Sequence, residues 1–96
     1  MIRSFGNKTA EALFHGLPSK ELRAFPADLK KVASRKLDMV NAAASPEDLR
    51  APPANRLEAL KGDRKGSFSI RINDQWRVVF RWEGTDAHDV SVVDYH

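Results

Sequence analysis

The chain has no cysteine, so disulfide stapling and a thiolate metal site are both excluded. It has few histidines, and His15, His88 and His96 stand in none of the spacings that bind metal, such as HExxH. No metal and no other cofactor is expected. No apolar run approaches the roughly 20 residues of a membrane helix. The opening MIRSFGNKTAEALF lacks the apolar core of a secretory signal. The expected address is therefore cytoplasmic, with no membrane contact. There is no Pro/Gly/Ser-rich linker, repeat or low-complexity run, so residues 1–96 read as a single domain.

Charge is abundant. Charged residues make up 30% of the 96, and the formal net charge is +3. A basic surface of this kind suits a polyanionic partner, although charge alone does not establish one.

The first half reads as helical. Met1–Phe5 alternates apolar and polar residues and is expected to form a short first strand. Asn7 suits an N-cap, followed by a short helix with Ala10, Leu13, Phe14 and Leu17 on one face, ended by Gly16 and Pro18. Pro26 fits the first turn of a second helix of about 16 residues. Leu29, Val32, Ala33, Leu37 and Val40 recur at three- and four-residue steps along it, opposite Lys30, Lys31, Arg35 and Asp38. Ser45-Pro46-Glu47-Asp48 predicts one or two capped turns, closed by Pro52-Pro53.

After Pro53 the period changes to two. Strands are expected over Arg56–Lys61, around Phe68/Ile70/Ile72, around Trp76/Val78/Phe80/Trp82 and around Val90/Val92. Polar turns separate them at 62–66, 73–74 and 83–86. Helices first and an antiparallel meander of about four strands second give an α+β fold, with both helices on one sheet face. The alternate residues Arg71, Arg77 and Arg81 then gather on the face that the helices leave open. Such arginines either keep an open face soluble or seat a phosphate backbone.

Three features could carry chemistry. Val92-Val93-Asp94-Tyr95-His96 runs from a strand into a carboxylate, a phenol and an imidazole. This is either an exposed tail or a proton-transfer group. Arg77, after Trp76, offers a bidentate cation to a phosphate. Lys61-Gly62-Asp63-Arg64-Lys65-Gly66 concentrates three cations at a strand end without the glycine spacing of a P-loop.

The runs Leu60-Lys61-Gly62-Asp63-Arg64 and Asn73-Asp74-Gln75-Trp76-Arg77 and the ending Asp94-Tyr95-His96, in that order and at this length, resemble the HigB family of bacterial toxins. That family is a branch of the RelE superfamily. The likeness extends over essentially the whole chain. It implies a RelE-like fold and a ribosome-dependent messenger-RNA endonuclease that uses no metal. It also implies a HigA-type helix-turn-helix antitoxin as partner, with operator DNA met only through that antitoxin. The expected catalytic residues are His96, Asp94, Tyr95, Arg77 and Lys61. Some family members carry a histidine where this chain has Glu58, so Glu58 is a further candidate. Arg64, Lys65, Arg71 and Arg81 are expected to contact RNA or the small ribosomal subunit. The competing expectation is a non-catalytic binding module of the same superfamily, such as a gyrase inhibitor.

Overall fold

A computed structural model describes residues 1–94, so Tyr95 and His96 lie outside the described residues. Helix α1 spans Lys8–His15. The Asn7 side chain accepts a hydrogen bond from the Ala10 amide at 3.0 Å, and left-handed Gly16 ends the helix. The Asn7 amide group also donates to the Val92 carbonyl at 2.9 Å, so this cap ties the helix to the last strand. Ala10 and Leu13 are buried. Leu17 departs from the expected apolar face and is 56% exposed, because the turn at Gly16 takes the chain off the helical spiral.

Pro26 precedes a single 3-10 turn at Ala27–Leu29, which leads into α2, Lys30–Ala42. The two together make up the expected second helix. Ala33, Leu37 and Val40 are buried, whereas Leu29 and Val32 are half-buried. Ser45 then opens a five-residue 3-10 turn, with its amide donating to the Asp48 carboxylate.

The sheet has four antiparallel strands in the order β1 (Glu58–Ala59), β2 (Ser67–Arg71), β3 (Trp76–Glu83) and β4 (Asp86–Asp94). Strand β1 is much shorter than the expected Arg56–Lys61. A 3-10 turn and left-handed Arg56 (φ 45°) precede it, and a second 3-10 turn at Gly62–Arg64 follows it. Ile70, Val78, Phe80, Val90 and Val92 are all nearly inaccessible and pack with the buried residues of both helices. Each such side chain contributes about 1.5–3 kcal/mol by leaving water.

Two strand features differ from the sequence reading. The first residues do not form a full strand. Ile2 and Phe5 make two isolated parallel bridges, with Ala87 and Val90 on the outer edge of β4. The β3–β4 register also slips by one residue, between Val79↔Ser91 and Arg81↔His88. Asp89, with φ at 53°, is the extra residue of this bulge. The bulge lets Ala87 and Val90 both face the core while the Asp89 carboxylate stays outside.

Candidate active site

Strand alternation and register define the face away from the helices. One cross-strand row holds Arg71, Arg77 and Val93; the next holds Glu58, Ser69, Val79 and Ser91; a third holds Ser67, Arg81 and His88. Arg71, Arg77 and Arg81 thus share the face on which the alternation put them.

Arg77 is held in place from two directions. Its Nε donates to the Ser69 Oγ at 2.9 Å. Its Nη2 donates to the Arg56 carbonyl at 2.7 Å and, more weakly, to the Ser69 carbonyl at 3.5 Å. The left-handed backbone at Arg56 turns its carbonyl toward the sheet, just before Glu58 enters β1. Glu58 is exposed on the same face, one row from Arg77. Arg71, directly across from Arg77, pairs with Asp74 in the following turn.

A further cation approaches this end of the sheet from α2. The Lys36 ammonium donates to Oδ1 of fully buried Asn55, the residue before Arg56. Burial, and then the positive charges of Arg35 and Arg71, hold Lys36 below the usual lysine range.

The other expected residues lie elsewhere. Lys61 is exposed beyond the end of β1, with Arg64 and Lys65 in the turn that follows. Its neighbour Leu60 bonds to Ser67, which pairs with Arg81, four residues along β3 from Arg77. That separation is about 13 Å of strand. Lys61 and Arg77 therefore bracket the face, and only their long side chains can bring them to one phosphate.

Arg81 is committed to Glu83 and to Asp89, the latter at 3.3 Å, and both carboxylates raise its pKa above the ordinary arginine value. Asp94 pairs in register with Trp76, so the pleat turns it to the side opposite Arg77. It is exposed, and its Oδ2 accepts from Gln75 Nε2 at 2.9 Å. The expected roles of Tyr95 and His96 fall outside the described residues.

Among the described residues, no three His, Cys, Asp or Glu side chains gather where they could hold a metal ion. Nor is any of their helices long and apolar enough to cross a membrane. Sequence reasoning missed Ser69, Arg56 and Asn55. Alternation would have put Ser69 on the open face, but a strand serine reads as ordinary polar surface. No sequence signal marks the Arg56 carbonyl.

Residues 3–96 match a family described as the RelE-like toxin of type II toxin-antitoxin system HigB. The chain belongs to that family. It is 39% identical over 82 residues to a protein named Toxin HigB-1 from Vibrio cholerae, a match covering 85% of this chain and 84% of that one. It is 31% identical, over an alignment of 101 positions covering 100% of each chain, to Endoribonuclease HigB from Proteus vulgaris. The fold is shared more widely. The YoeB–YefM complex from Staphylococcus aureus superposes with a TM-score of 0.62 at 18% identity, covering 100% of this chain and 98% of that one. A YoeB/ParE toxin from Agrobacterium tumefaciens superposes with a TM-score of 0.52 at 17% identity, covering 99% of each.

Proposed function

We propose that this HigB-family toxin, an endoribonuclease by kinship, cuts messenger RNA in the decoding site of the small ribosomal subunit and is held inactive by a HigA-type helix-turn-helix antitoxin. One observation carries the reading. The Arg77 guanidinium is fixed on the helix-free sheet face, in one row with Arg71 and one row from the Glu58 carboxylate.

Metal-free RNA cleavage needs three things. A base takes the ribose 2′ proton, an acid protonates the leaving 5′ oxygen, and cations meet the charge that builds on the phosphate. The bond from the 2′ oxygen to phosphorus forms as the bond from phosphorus to the 5′ oxygen breaks. DNA lacks the nucleophile and stays intact. Arg77 meets the phosphate charge, and Lys61 reaches in from the far end of the face. Glu58 shares Arg77's face, which favours it over Asp94 as the base. His96 donates the proton and Asp94 orients it. Tyr95 stacks on a base. Arg64, Lys65 and Arg71 hold ribosomal or messenger RNA, and Arg81 contributes to that surface less, because two carboxylates already match its charge. The antitoxin partner is supported by kinship to a family of toxin–antitoxin proteins.

The test is primer extension on a defined messenger RNA, with and without programmed ribosomes. Wild-type protein should give codon-phased cuts only with ribosomes. His96→Ala and Arg77→Ala should each lower the rate by about 10²–10⁴-fold. Intact RNA together with inhibited gyrase would instead identify a binding toxin. Cleavage by both variants within a few-fold of wild type would remove this site from the chemistry.

A further inference from the structure

Ser69 sits mid-strand in β2, where alternation sends its side chain to the helix-free face. A serine on such a face is ordinarily wet, yet Ser69 is 0% exposed. Arg77 explains this by lying across it. The serine Oγ accepts from Nε at 2.9 Å, and the serine carbonyl accepts from Nη2 at 3.5 Å. The same Nη2 reaches the Arg56 carbonyl at 2.7 Å. These acceptors come from two separate chain segments, so together they fix the direction and the plane of the guanidinium.

That fixing works against a disturbing force. Arg71 stands directly opposite Arg77, and like charges facing each other across a ladder repel. Arg71 is drawn aside by Asp74, and Arg77 is drawn the other way by Ser69 and Arg56. Of the three acceptors named here for Arg77, the Ser69 Oγ belongs to a side chain, whereas the other two are backbone carbonyls.

We infer that Ser69 is the positioning residue for Arg77: its buried hydroxyl aims the guanidinium at the reacting phosphate. The inference rests on the reading of Arg77 as the phosphate-binding group. Donors stabilise a transition state only when they already point to where charge develops. A misplacement of about 1 Å costs up to about 10²-fold. Ser69 acts through Arg77 and touches no substrate itself.

The experiment measures ribosome-programmed cleavage of a defined messenger RNA, alongside thermal unfolding. Ser69→Ala should lower kcat by about tenfold while KM changes by less than about threefold. Ser69→Cys, which keeps the shape but is a poor acceptor, should fall likewise, and Ser69→Thr, which keeps the oxygen, should restore the rate. Ser69→Ala should cost nothing further in an Arg77→Ala background, because the two residues act as one unit. Three results would overturn the inference while leaving the site intact. They are wild-type cleavage by both Ser69→Ala and Ser69→Cys, an equal loss from Ser69→Ala in both backgrounds, and losses that track the drop in melting temperature. Full activity of Arg77→Ala itself would instead refute the underlying assignment of Arg77.

Discussion

Asn55 is a fully buried amide with every polar atom committed. Its Nδ2 donates to the Leu49 carbonyl at 3.2 Å and to the Ala51 carbonyl at 3.4 Å, and its Oδ1 accepts from Lys36. Truncation strands several partners at once, which costs more than the hydrogen bonds are worth on balance. Asn55→Ala should destabilise the protein by about 2–3 kcal/mol in urea unfolding. It should also lower cleavage more than stability alone explains, because the next residue supplies the carbonyl that holds Arg77. Arg77 itself was legible from alternation, since only its strand and its parity mattered. Asn55, Arg56 and Ser69 were not, because their roles depend on a buried amide, a left-handed backbone and a contact between segments far apart in sequence. Asp94 illustrates the same limit. Its place in the terminal run was plain, but the side it faces followed from pairing with Trp76.

At the level of elements, the strongly periodic segments α2, β2 and β3 formed where the spacing put them, because burial of one face rewards that spacing directly. Short elements followed other rules. The first residues were legible as extended chain, but their parallel docking on β4 was not. That docking depends partly on Asp86, whose carboxylate accepts from Arg3 Nε at 3.0 Å. The Arg3 hydrogen bond is the largest cause holding Asp86 below its ordinary pKa. A carboxylate with a depressed folded pKa adds stability that is full above its unfolded value, about 3.9, and is lost as pH falls through the lower folded one. Acidification below about pH 4 should therefore loosen the first segment before the core. Hydrogen exchange should show this, with the Arg3 and Ala87 amides losing protection early, since both bond across that docking. Asp86→Asn should reproduce the loosening at neutral pH.

For the molecule as a whole, the net charge of +3 is less informative than its distribution. Lys61, Arg64 and Lys65 project from one end of the sheet; Arg71, Arg77, Lys36 and Arg35 crowd the other. Two cationic ends with a helix-free face between them suit a nucleic-acid strand laid along the sheet. On the proposed function, affinity for programmed ribosomes should fall steeply with salt. Lys61→Gln or Arg64→Gln should make the log–log slope shallower by up to about one. Arg81→Gln should change it less, because Glu83 and Asp89 already answer that charge.

The irregularity at Asp89 also bears on how the chain length of the last hairpin is constrained. One surplus residue is accommodated there, so β3 and β4 agree on which side chains point inward both before and after it. Shortening the chain at Asp89 would leave that agreement intact and cost the ties to Ser4, Arg81 and Ser91. Adding or removing a residue between Val90 and Asp94 would instead turn the strand over, placing Val93 toward the helices and Asp94 beside Arg77. Within β4, tolerance for length change is therefore greatest at Asp89, upstream of the stretch whose register sets the facing of Val93 and Asp94.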